Sequence, residues 1–125
     1  MGVKEYPERG EICLVCLDPV IGSEINKTRP ALIISNDINN QFAQTVTVIP
    51  ITSSTVKIYP FETHISSQES GLLKDSKVKC NQIRTIDKKR IIKSLGKISI
   101  DKLKEVENSL LIHLDMYFKN EYPDN

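Results

Sequence analysis

The chain has 125 residues, 39% of them hydrophobic and 26% charged, with a formal net charge of +1. That is a globular composition long enough for one core and too short for two, so a single domain over residues 1–125 is expected, with its core at about 9–118. Apolar runs are short and the N-terminal MGVKEYPERGE carries no apolar segment, which argues against a spanning helix or a secretory signal and for a cytoplasmic protein with no membrane partner.

Glu11 to Leu17 reads as the first strand, bounded by the turn signals Arg9-Gly10 and Asp18-Pro19. Gly22 to Lys27 is a polar loop whose one apolar anchor is Ile25, and it is expected to be mobile and to lie over the second strand as a lid or substrate contact. Pro30 fixes its own φ and biases Arg29 toward extended backbone, so the guanidinium is held at the mouth of a strand running from Pro30 to Ser35. A third strand, Thr45 to Ile51, follows NDINNQFAQ, in which Asn36, Asp37, Asn39 and Asn40 favour turns. If these two strands pair, a permanently charged fork meets the hydroxyls of Thr52, Ser53 and Ser54 at one end of a sheet, a plausible anion or phosphodiester site.

A short strand is expected at Phe61 to Ile65, and a loop or single turn at SSQESG. Lys77 to Arg84 alternates polar and apolar residues with one slip near Asn81 and Gln82, so its polar face carries Lys79 and then Gln82 and Arg84. Asp87 to Arg90 suggests one helical turn and Leu95 to Ser99 a last short strand. From Ile100 the period changes: Ile100, Leu103, Val106, Leu110 and Leu114, widened by Leu111 and Phe118, predict an amphipathic helix capped by Ser99 or Asp101 without the glutamate of a full capping box. The tail KNEYPDN is expected to fray. The fold class is therefore mainly β, five to seven short antiparallel strands in a strongly bent sheet or small barrel, closed by a C-terminal helix.

Three cysteines without a secretory signal argue for free thiols. Cys13 and Cys16 form a CxxC, but residues three apart on a strand point to opposite faces, and Cys80, His64 and His113 stand alone, so buried thiols are expected and neither a metal nor a cofactor. Lys88, Lys89, Arg90, Lys93, Lys97, Lys102 and Lys104 crowd the last third; such a run is either a solvated face or a cationic flank for a polyanion.

Five blocks in order, RGEICLVCLDPVIGSE, KTRPALIISND, VTVIPITS, YPFETH and NQIRTIDKKRI, resemble the MazF/PemK/Kid toxins of bacterial toxin–antitoxin pairs from Arg9 to about Leu114. The resemblance implies an SH3-like barrel with a C-terminal helix, a homodimer, and a metal-independent endoribonuclease that cuts single-stranded mRNA at short sequences to leave 2′,3′-cyclic phosphate and 5′-hydroxyl ends. It also implies a cognate MazE-like antitoxin whose acidic, partly disordered tail blocks the site. The family's catalytic arginine and threonine fall on Arg29 and Thr52, and its loop glutamate on Glu24. Kid-like members use a first-loop histidine and a later Arg-Cys-Asp run; here those positions read Ser23 and Lys79-Cys80-Asn81, so a scheme with that aspartate as base cannot operate unchanged.

Cleavage by the 2′-hydroxyl needs in-line placement, charge stabilisation on the phosphorane-like transition state and two proton transfers. Arg29 suits the second task, because a planar fork of donors can hold two non-bridging oxygens and tightens as their charge grows; as an arginine it is a poor general acid. Thr52 offers a hydroxyl to the same phosphate. For the base, Glu24 is nearest in sequence, whereas His64 belongs to the residue type that titrates near neutrality; each is equally an ordinary solvated side chain. Candidate RNA contacts are Ser23, Asn26 and Lys27 in the first loop and Ser53 after the third strand. Further along, His64 and Lys79 are candidates, and Gln82 and Arg84 either read RNA or hold the first loop. Aromatic residues are only 6% of the chain, with no tryptophan, so base recognition should come from hydrogen bonds rather than many stacking platforms. Two other readings compete: a gyrase poison of the CcdB type, which shares the barrel without nuclease activity, and a catalytically dead RNA or antitoxin binder.

Overall fold

In the computed structural model, residues 6–25 and 27–116 are described. Among the described residues there are seven strands: β1 (Glu11–Cys16), β2 (Thr28–Ile33), β3 (Thr45–Thr52), β4 (Glu62–Ile65), β5 (Ser76–Lys79), β6 (Arg84–Asp87) and β7 (Ile91–Lys97). Three helices accompany them: α1 (Asp37–Phe42), α2 (Ser67–Ser70) and α3 (Ile100–Leu114). Every pairing is antiparallel, in the order β4-β5-β3-β2-β1-β7, with β6 also on β3. The expected mainly-β fold with a C-terminal helix is the one observed.

β1, β2 and β3 are apolar on both faces because both are covered. On one side Ile12, Leu32, Ile49 and Ile51 pack with Ile65, Val78 and Val106 under α3; on the other, Val15, Ala31, Ile33, Val46 and Val48 pack with Ile86 and Leu17. β3 changes partner along its length: Thr45 to Val48 pair with β6, and Ile51 and Thr52 pair with β5. A 3-10 turn at Cys80–Gln82 joins β5 to β6 and is the physical form of the slip in the alternation there.

Some boundaries differ from expectation. The Asn-rich connection contains α1, because the Asn36 side chain caps it by accepting from Asn39 N–H, while buried Asn40 donates to the Ser35 carbonyl. Ile38 and Phe42 are exposed, so no apolar stripe announced this helix. SSQESG forms α2 through a complete capping box between Ser66 and Glu69, closed by Gly71 at φ 77°. The last strand starts at Ile91 rather than Leu95. α3 is capped by Ser99, and its packed stripe is narrower than its sequence period: Val106 is buried with Leu103 and Leu110 beside it, whereas Ile100 and Leu114 are exposed. Phe118 and the tail lie outside the described residues. No helix among the described residues is long and apolar enough to cross a membrane.

Candidate active site

The ladder between β2 and β3 pairs Ala31 with Pro50, Leu32 with Ile49 and Ile33 with Val48. Carrying that register on by two residues sets Arg29 across from Thr52. Both are in phase with the side chains that fill one core, Arg29 with Ala31 and Ile33, Thr52 with Val46 and Val48, so strand alternation gives them the same face. Each is half-buried, at the point where the apolar core gives way to solvent. The Thr52 hydroxyl lies 3.4 Å from the Ser54 amide, which can donate to it. Ser53 has the opposite phase and, with Arg29, Pro30, Leu72, Leu73 and Lys74, lines a hollow of about 360 Å³.

The other flank is a second hollow of about 480 Å³, bordered by Ser23, Glu24, Ile25, Pro50, Gln82 and Arg84. Three of the candidates are committed to structure here. Glu24 folds back on its own turn, accepting from the Ile21 amide. Gln82 Oε1 accepts from the Ile25 amide at 3.4 Å, and Arg84 Nη1 donates to the Leu17 carbonyl at 3.2 Å, so both hold the first loop. Arg90, from the basic run, donates to the Cys16 and Asp18 carbonyls on the same segment. Ser23 is exposed at the loop tip. Lys27 has an exposed side chain and a backbone at φ 68°, pinned through its amide to Asp18 Oδ1 at 2.8 Å. Ile25 does anchor the loop, packing on the second core cluster. Asn26 lies outside the described residues.

β5 completes the row. Thr52 pairs with Lys77, and Lys77 with His64, so His64 lies in the same cross-strand row as Thr52 but two strands away, roughly 10 Å off at about 4.8 Å per strand. It is exposed on the edge strand, and its carbonyl accepts from Lys102 Nζ at 3.2 Å. Lys79 is not a free cation: its ammonium stands 3.4 Å from Glu62 Oε2, while Lys77 Nζ is 3.0 Å from Glu62 Oε1. The Glu62 side chain is 1% exposed. Burial alone would raise its pKa, but the Tyr59 amide and the two ammoniums outweigh that and hold the carboxyl below the usual glutamate range. Sequence reading missed Glu62 and Lys77 altogether; the available signal was opposite charge at facing positions of two short strands.

Cys13 and Cys80 are buried as expected, but Cys16 at the end of β1 is only half-buried. Burial, with Glu62 nearby, pushes the Cys80 thiol up to about 12, which makes it inert. Among the described residues no group of three histidine, cysteine or acidic side chains is placed to hold a metal ion.

Residues 8–114 match the family model described as PemK-like, MazF-like toxin of type II toxin–antitoxin systems. The chain belongs to this family. It is 40% identical over 114 residues to the endoribonuclease MazF9 of Mycobacterium tuberculosis H37Rv, covering 87% of this chain and 97% of that protein. The crystal structure of MazF from Deinococcus radiodurans superposes with a TM-score of 0.79 at 28% identity, over 90% of this chain and all of that one. A MazE–MazF crystal structure from the same organism gives a TM-score of 0.72 at 25% identity, over 91% of this chain and 100% of that chain. A CcdB-type poison is not the favoured reading for a chain of this family.

Proposed function

We propose that this MazF-type endoribonuclease toxin cuts single-stranded mRNA at the sheet end where β2 and β3 bring Arg29 and Thr52 together, leaving 2′,3′-cyclic phosphate and 5′-hydroxyl ends. The observation that carries the reading is the β2–β3 ladder, Ala31 with Pro50 to Ile33 with Val48, whose extension by two residues sets Arg29 opposite Thr52. In the reaction the 2′-oxygen bonds to phosphorus as the P–O5′ bond breaks, one proton leaving the 2′-hydroxyl and one arriving on the 5′-oxygen. The nucleophile belongs to the RNA, so the chain has to supply orientation and charge rather than an activated water. Arg29 grips the non-bridging oxygens, more strongly as their charge develops, and Thr52 donates to the same phosphate.

Glu24 is the carboxylate assigned to proton transfer; its bond to the Ile21 amide would have to open, or be shared, for it to act. Ser23, Asn26 and Lys27 would meet bases from the first loop and Ser53 from the far side of Thr52. Gln82 and Arg84 border the same hollow, so their contacts to RNA would be made with the atoms that the loop leaves unused. His64 and Lys79 lie further out and contribute to backbone binding at most. A second copy of the chain and a MazE-like antitoxin with an acidic tail are the proposed protein partners. Three cysteines, none of them in a disulfide among the described residues, support a cytoplasmic site of action.

The test is incubation of purified protein with a long single-stranded RNA in EDTA, with the ends mapped by sequencing. Cuts at a short common motif with 5′-hydroxyl ends are expected, and Arg29→Ala and Thr52→Ala should abolish them without unfolding the protein. Intact RNA would return the gyrase-poison reading.

A further inference from the structure

Lys77 faces Thr52 in the β3–β5 ladder, yet its ammonium is turned away from solvent, its side chain being 9% exposed. It donates to the Lys57 carbonyl at 2.6 Å and to Glu62 Oε1 at 3.0 Å, and that same oxygen accepts from the Tyr59 amide at 2.9 Å. The other oxygen, Oε2, is buried with no hydrogen bond among the described residues and has the Lys79 ammonium 3.4 Å from it. Desolvating such a group costs stability that an apolar cluster of similar volume would not, so stability is a weak reason for building one.

What the cluster does in space is specific. The two backbone groups it grips, the Lys57 carbonyl and the Tyr59 amide, belong to the segment that leaves Thr52 and returns as β4. Other ties to this segment are ring contacts: the Tyr59 ring stacks on Phe61 with centroids 5.2 Å apart, the Lys57 ammonium sits 4.7 Å from the Tyr59 ring centre, and at its end Phe61 meets the His113 ring of α3 at 6.4 Å. Val56, just before Lys57, is almost fully exposed. Without Lys77 and Glu62 the middle of the segment would lose these two backbone bonds to the sheet.

We infer that the Lys77–Glu62 pair is a positioning element for substrate binding. It clamps residues 53–61 into a fixed wall beside Thr52, against which a nucleotide flanking the scissile linkage lies. Neither residue touches the reacting phosphate. Two ammoniums against one carboxylate also leave the cluster net positive, which favours a polyanion next to the row. The inference rests on the reading of Arg29 and Thr52 as the cleavage site.

The experiment compares the full-length protein with Lys77→Met, following steady-state cleavage of an unstructured single-stranded RNA transcript and hydrogen exchange at the Tyr59 amide. The clamp predicts KM raised about tenfold with kcat changed less than about twofold, and faster exchange at Tyr59. Unchanged KM, a loss carried in kcat alone, or unaltered exchange at Tyr59 would each overturn it. Should Lys77→Met fail to fold by near-ultraviolet circular dichroism, Glu62→Gln, which keeps an acceptor for Tyr59 while removing the charge that holds Lys77, is read by the KM and kcat criteria alone, unchanged KM overturning the clamp. Wild-type cleavage by Arg29→Ala and Thr52→Ala would instead sink the site assignment, an outcome separable from the Tyr59 exchange.

Discussion

The two loops that flank the Arg29–Thr52 row are fastened by different physics. The first, leading from β1 to β2, is held by hydrogen bonds at partly buried or exposed positions: Gln82 accepts from Ile25 at a long 3.4 Å, Arg84 reaches the Leu17 carbonyl, and Glu24 bonds within its own turn. Water competes for each of these, and each can be remade a little way off. The second loop, between β3 and β4, is held by a desolvated charge cluster, Lys77 and Lys79 against Glu62. The first loop is therefore the one able to move with substrate, and the second is the fixed reference against which it moves.

The largest expected effect lies between the loops. Arg29→Ala or Thr52→Ala should lower kcat by roughly 10²–10³-fold, the scale on which loss of one transition-state donor is felt, with the unfolding midpoint unmoved. Quenched-flow cleavage beside a urea titration checks both halves. A loss of activity that tracked unfolding would place Arg29 in the scaffold and erase the distinction between the row and its flanks.

Next comes stability, where the loops should separate cleanly. Glu62→Ala leaves two ammoniums facing one another without their counter-charge and should cost about 3 kcal/mol. Glu24→Ala removes a surface bond and should stay within about 0.5 kcal/mol. Urea unfolding of the pair is decisive: equal losses would mean that the second loop is no better anchored than the first.

Acid should sharpen the same contrast with a smaller effect. Glu62 has a folded-state pKa below its ordinary value, so the folded protein binds fewer protons than the unfolded chain as that range is crossed. Its contribution is complete above the ordinary glutamate range and is lost as pH falls through the lowered value. Glu69, held down chiefly by the Ser66 amide of the capping box, acts in the same direction. Stability measured against pH should therefore fall less steeply below the ordinary glutamate range in Glu62→Gln than in the parent. An unchanged slope would mean that the carboxyl is not depressed.

How much of this was legible depended on range. Arg29 and Thr52 could be brought together from sequence because Pro30, two β-branched runs and a short connection leave little choice of pairing. The fate of Glu62, Lys77 and Lys79 could not, because Glu-Thr-His-Ile and Ser-Lys-Val-Lys read as edge strands with a wet polar face. That face is dry only because the 53–61 segment is drawn back over it by the same side chains. α1 was hidden for another reason: its stability comes from Asn36 and Asn40, which favour turns as readily as caps.

Gln82→Ala should give the smallest change. It deletes one partly solvated acceptor for the Ile25 amide, a bond already long, so the cost should be near 0.5 kcal/mol. Ile25 itself still packs on the core, so the loop keeps its apolar anchor. Exchange at the Ile25 amide should nevertheless quicken, because that donor is left with water alone, while exchange at Tyr59 stays as it was. Coupled quickening at both amides would show that the two loops open as one unit, and the division of labour between a movable flank and a fixed one would have to be given up.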